Sequence, residues 1–135
     1  MNAEQIANID HLADVIEALD PERFSMHHWW RTKDGRTNVD EMPTVEHNCG
    51  TAACIGGWAG AIFHPHNREA AEDMWTIGEE LLGLDYDRTN ELFMPTGFSH
   101  EPFTQAHAVQ TLRQLARTGE VNWDHAYADF EGSGQ

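Results

Sequence analysis

Residues 51–63 run for thirteen positions without a formal charge and carry glycine at 56, 57 and 60. The segment shows no strand-like alternation of apolar and polar residues. On a helical wheel Ala53, Gly56, Gly57, Gly60 and Ala61 share one face, and Cys54, Ile55, Trp58 and Ile62 share the other. A helix apolar on all sides is a central one. Each interior glycine costs a helix about 1 kcal/mol relative to alanine, so three cost roughly 3 kcal/mol. That penalty needs an offset. Close approach of a second backbone to the flat small face supplies one. Burial of Trp58 and Ile62, at about 1.5–3 kcal/mol each, supplies another. The segment is therefore predicted to be the core helix, with Cys54, Gly56, Gly57, Trp58 and Gly60 as structural core.

The flanking sequence predicts further helices around it. In residues 2–19, Ile6, Ile9, Leu12, Ala13, Ile16 and Leu19 fall on one arc and Asp10, Asp14 and Glu17 fall opposite. Asn2 is placed to cap this helix with Gln5 in the reciprocal position. Asp20-Pro21 ends it, because a residue before proline avoids the helical basin. Residues 31–46 turn polar, with Asp34-Gly35 as a turn signal and Pro43 as a breaker; residues 33–39 can close as a small hairpin. His64-Pro65-His66 breaks the core helix. Asn67 then caps a helix over 68–82, bent near Gly78, with Ala71, Met74, Trp75, Leu81 and Leu82 inward and Gly83 past its end. Asp85 caps a short helix to Leu92-Phe93. A helix opened by Pro102 or Thr104 buries Ala108, Val109, Leu112, Leu115 and Ala116, keeps Arg113 and Arg117 outside, and stops at Gly119. Asn122 caps a last short helix through Phe130, and 131–135 is a fraying tail. The predicted fold is all-α: a single domain over 1–130 with five or six short helices around the glycine-rich one.

Charge narrows the function classes. Twenty-three Asp+Glu stand against eight Lys+Arg, a formal net charge of −15 over 135 residues. Duplex DNA or an anionic membrane needs a basic patch, and the eight cations form no cluster, so neither is expected as a direct ligand. The chain opens without a basic, then apolar, leader pattern, and no uncharged run is long enough to span a bilayer. With two cysteines there is no disulfide framework. These features predict a cytoplasmic location with reduced thiols.

Phe24-Ser25-Met26-His27-His28-Trp29, Cys49-Gly50-Thr51-Ala52-Ala53-Cys54-Ile55-Gly56-Gly57-Trp58-Ala59, Leu81-Leu82-Gly83-Leu84 and Leu92-Phe93 together resemble a set of small uncharacterised proteins of bacteriophage and bacterial genomes. Gly119-Glu120-Val121-Asn122-Trp123 resembles their C-terminal end. The Cys-Gly-Thr-x-x-Cys block is the specific part; the polar stretch 31–46 and His64-Pro65-His66 lie outside the shared pattern. The resemblance implies a phage-type accessory protein, in a host cytoplasm if phage-encoded. It implies no particular activity.

Five candidate sites follow from residue chemistry. If Asn48 or Cys49 caps the core helix, the Cys49 thiol lies at the positive end of the helix dipole, which favours a thiolate nucleophile. The surrounding run is superficially similar to papain-type cysteine proteases, and His47 or a later histidine would act as base. The alternative makes Cys49 and Cys54 small buried hydrophobes. His47 with Cys49, and His64 with His66, supply zinc-type donors, but Cys54 and His64 stand about 15 Å apart along a helix and cannot share one ion. His27-His28-Trp29-Trp30 puts two adjacent tryptophans where a regular helix cannot bury both, so one is read as an interface anchor. The acids from Asp85 to Glu91 begin like a calcium loop but lack its glycine and distal glutamate. The acidic surface as a whole suits either a soluble protein or a mimic of DNA.

The resulting expectation is a non-enzymatic binding module with no cofactor, engaging a protein partner with a basic surface through Trp29, Trp30, His27 and His28. A cysteine-dependent hydrolase at Cys49 with His47, and an acidic DNA-mimic inhibitor, are its alternatives.

Overall fold

The computed structural model describes residues 1–24, 30–31, 52–71, 73–94 and 104–126. Helix α1 spans Ala3–Ala18. Its start is closed on both sides as the sequence predicts. The Asn2 side chain accepts from Gln5 N at 2.8 Å, and Gln5 Oε1 accepts from Asn2 N at 2.9 Å. Ile9, Leu12, Ala13 and Ile16 are buried. After the extended Leu19, Pro21 opens a single 3₁₀ turn at Pro21–Arg23.

The most extensive helix contact joins α1 to α6, Gln105–Thr118. Thr104, not Pro102, caps α6, and Gly119 ends it at φ 78°. The α6 face of Ala108, Val109, Leu112 and Leu115 is buried, as its periodicity predicts. Two polar clasps fix the pairing. Gln105 Nε2 donates to the carbonyls of Ile16 (2.6 Å), which also accepts from Leu19 N, and of Leu19 (2.7 Å) at the end of α1. Arg113 reaches Asp14 at 2.5 Å and Asp10 at 3.5 Å.

Helix α2 is Ile55–Phe63, four residues shorter at its start than the uncharged run suggests. Ala52–Ala53 (β2) are extended and pair antiparallel with Trp30–Arg31 (β1), Trp30 opposite Ala53 and Arg31 opposite Ala52. Backbone groups used in that ladder cannot also begin a helix. Cys54 is therefore the N-cap, extended at ψ −176°, its sulfur accepting from Gly57 N at 3.4 Å. Asn48 and Cys49 are not the cap. Apart from this two-residue ladder and a bridge between Phe24 and Ala53, the described residues are mainly helical. The hairpin expected over 33–39 lies outside the described residues.

Every residue from Ile55 to Ala61 is buried. Trp58 is fully enclosed; its indole N–H donates to the Arg23 carbonyl at 2.9 Å, and the Arg23 guanidinium lies 4.9 Å from the ring centroid. The small face meets another main chain. A Cβ on Gly60 would overlap the Ala71 carbonyl, standing 2.9 Å from its carbon and 3.0 Å from Cα. Ala71 closes α3, Arg68–Ala71. The expected backbone approach is present at Gly60, and the expected bulk is buried at Trp58, while Ile62 is only partly buried.

The single helix expected over 68–82 is divided. Asp73 caps a new helix, α4 at Met74–Thr76, accepting from Thr76 N (3.2 Å) and from its hydroxyl (2.8 Å). The chain continues as a π-helical turn, Ile77–Leu81, and Gly83 leaves it at φ 71°. The end of this turn leaves its last carbonyls open, and α1 supplies partners: Asn8 donates to Leu81 O (2.8 Å) and Gln5 to Glu80 O (3.3 Å). Gly78 sits in the turn against Thr89 of α5, Tyr86–Phe93, which Asp85 caps. Trp123 donates to Glu91 O at 2.8 Å and ties down a helical turn at 124–126, where Asn122 accepts from Asp124 N. The buried side chains of these elements form one cluster, with Trp58, Ile77, Leu92, Phe93 and Leu112 among its members. No described helix is long and apolar enough to cross a membrane.

Candidate functional site

His27, His28, Trp29, His47 and Cys49 lie outside the described residues, as does the side chain of Trp30. The sites expected there are neither assembled nor dispersed by the structure. Cys54 is placed clearly. Its thiol is free of any disulfide, 4% exposed, and pushed above the ordinary thiol range by burial, which outweighs the hydrogen bond from Gly57 N. That makes it a structural cap with little thiolate. Gly56, Gly57, Trp58 and Gly60 are core. His64 and His66 follow α2 at the end opposite Cys54. No group of three His, Cys, Asp or Glu side chains among the described residues is arranged to hold a metal. Asp85 caps α5 and pairs with Arg88, which accounts for its place at that helix start.

The feature that sequence reasoning misplaced is Trp75. A continuous helix over 68–82 would turn it inward. The restart at Asp73 and the π turn after Thr76 rotate it outward, and it is 39% exposed. Its neighbour in space is Tyr86, the first residue of α5, which is 66% exposed. The two rings stack with centroids 4.5 Å apart and planes 12° from parallel. The available signal was Asp73-x-x-Thr76, a capping pattern inside an apparent helix.

These rings stand over a cavity of about 330 Å³ lined by Trp75, Glu79, Leu84, Asp85, Tyr86 and Thr89. Three local devices shape it. The π turn carries Glu79 to the cavity from the same segment as Trp75. Leu84 N donates to Gly78 O at 2.8 Å, folding the 83–85 connection against the turn. Gly78 lets α5 approach, since a Cβ there would come within 2.7 Å of Thr89 Cγ2.

The polar groups divide into engaged and open. The Thr89 hydroxyl donates to Asp85 O at 2.8 Å. The Asp85 carboxylate receives Arg88 N at 2.9 Å and Arg88 Nη1 at 2.7 Å. Arg88 also holds Glu120 at 2.6 Å; that bond first, then the charges of Glu120 and Asp85, raises its guanidinium above the ordinary value. Glu79 is exposed and makes no ion pair among the described residues. Among the described residues the lining combines an aromatic wall with a carboxylate that has no ion pair, a surface suited to non-covalent contact.

A second polar cluster joins α6 to the C-terminal turn. His125 Nε2 lies 3.2 Å from His107 O and 3.4 Å from the hydroxyl of buried Thr111, with Trp123 stacked alongside His125. Its bonds run between elements of the fold, which suits a structural tie. Comparison of the chain with models of known protein families, with curated protein sequences and with solved structures returns no match.

Proposed function

We propose that the protein is a small acidic binding module for another protein, acting as a phage-type accessory or host-modulating factor. The observation that carries the reading is the outward-facing Trp75–Tyr86 stack beside a cavity with an unengaged carboxylate. Large aromatic side chains bury much of their surface on average, so two exposed rings stacked on each other form a concentrated apolar contact area. A pre-stacked pair offers rigid contact area at small cost in side-chain freedom, the usual character of an interface anchor. The net charge of −15 steers the encounter toward a basic partner and away from nucleic acid or anionic lipid. This reading adds Trp75 and Tyr86 to the Trp29-Trp30 run that the sequence singles out as an anchor.

The test is affinity capture from a host-type lysate at low and high salt, with the wild type and the Trp75→Ala/Tyr86→Ala double variant compared. The expected result is a captured species that weakens with salt and is lost in the double variant while its helical circular dichroism is retained. Capture that ignores the two aromatics, or no capture at any salt, refutes the reading.

A further inference from the structure

We infer that the cavity beside Trp75 and Tyr86 receives an arginine side chain of the partner protein. This rests on the binding-module reading and specifies its chemistry. Because the rings stack on one another, each leaves one outer face for a ligand. That face is the electron-rich side of the ring and favours a flat cation over it. A guanidinium is planar, weakly hydrated and attracted to the ring quadrupole, and an ammonium is a compact, strongly hydrated charge. The same chain already uses this contact internally, with the Arg23 guanidinium 4.9 Å from the Trp58 centroid.

Charge selects in the same direction. Glu79 lines the cavity and carries no ion pair among the described residues, so both its oxygens can accept the forked donors of a guanidinium. Asp85 is held by Arg88 and adds negative potential without competing for the ligand. A phosphate or carboxylate ligand would meet these acids and the net charge of −15 with no open cation in the lining. A neutral apolar side chain would pack on the rings but leave the Glu79 carboxylate without a partner. The volume of about 330 Å³ accommodates an extended arginine side chain.

The experiment uses the full chain and short capped peptides containing arginine, lysine or citrulline, the neutral near-isostere of arginine. Binding is followed by the indole N–H resonance of Trp75, one of five tryptophans, identified by its loss in Trp75→Phe. The arginine peptide is expected to shift that resonance saturably. The citrulline peptide should bind about tenfold more weakly, since it lacks the cation–π and ionic contributions. Glu79→Gln should weaken the arginine peptide about three- to fivefold and leave the citrulline peptide unchanged. Equal binding of arginine and citrulline peptides, no effect of Glu79→Gln, or no shift at Trp75 overturns the inference. If peptides fail while partner capture still requires Trp75 and Tyr86, the arginine assignment falls and the module stands. If the arginine peptide binds but capture does not need the aromatics, the module reading falls alone.

Discussion

Replacing Gly60 by alanine sets two effects of opposite sign against each other. Helix propensity alone favours alanine by about 1 kcal/mol at an interior helical position. The tertiary contact opposes it. The new Cβ would stand 2.9 Å from the Ala71 carbonyl carbon and 3.0 Å from its Cα, and nearer still to its oxygen. Carbon pairs settle at about 3.5–4.0 Å, so the α2 and α3 backbones must separate by roughly half an ångström or more. No flexible side chain absorbs that shift, because the obstructing atoms are main chain. Overpacking of this kind costs about 1–3 kcal/mol, with rigid backbone at the upper end. The net expectation is a loss of about 2 kcal/mol. With a urea dependence near 2 kcal/mol per molar for a chain of this size, the unfolding midpoint should fall by about 1 M at unchanged slope. Ala7→Gly, at an exposed position of α1, measures the propensity contribution in the same protein and should lose about 1 kcal/mol. A Gly60→Ala midpoint equal to or above that of the wild type would refute the packing argument and return Gly60 to the status of an ordinary helix glycine.

Three further expectations test other parts of the structure. Burial raises the Cys54 thiol above its unfolded value, so the neutral form stabilises the fold fully below about pH 8.5, and that contribution is lost as pH rises through the folded value. Iodoacetamide at pH near 8 should leave Cys54 unmodified until denaturant is added, as read by peptide mass, and the alkaline fall in urea midpoint should flatten in Cys54→Ala. Arg113→Gln removes the bonds to Asp14 and Asp10 and should lower stability by about 0.5–1 kcal/mol at low ionic strength, an effect that vanishes near 1 M salt because the pair is partly exposed; an effect independent of salt would place its role in packing. Gly83→Ala forces a side chain to φ 71° beside Gln5 and should cost about 1–2 kcal/mol or more by thermal or urea unfolding.

Local chemistry was readable at several helix ends where the partner lies within a few residues, though the caps at Cys54 and Asp73, equally local, were hidden inside apparently continuous helices. Asn2 with Gln5, Asp85 with Arg88 N, and Gly83 and Gly119 at positive φ were all legible, because a cap or a left-handed glycine is decided by its own turn. The uncharged run correctly announced a buried helix and, at Gly60, a close main-chain neighbour, since three interior glycines need an offset in packing. Its first residues were misassigned because Ala52 and Ala53 suit helix and strand alike, and their backbone groups were claimed by Trp30 and Arg31, which stand about twenty residues away. Trp75 was misplaced for a related reason. Its inward position follows from an unbroken helical period, and a π turn held by Asn8 and Gln5 of α1 shifts that period. The amino-acid order alone therefore determined most of the segments that coil, several of their caps and the apolar faces of α1 and α6. Only the folded molecule decided that Gly60 lies on Ala71, that the sulfur of Cys54 is a cap, and that Trp75 meets Tyr86 in the open. Periodicity reports the environment along one element, whereas these outcomes depend on which distant backbone competes for the same hydrogen bonds and the same space.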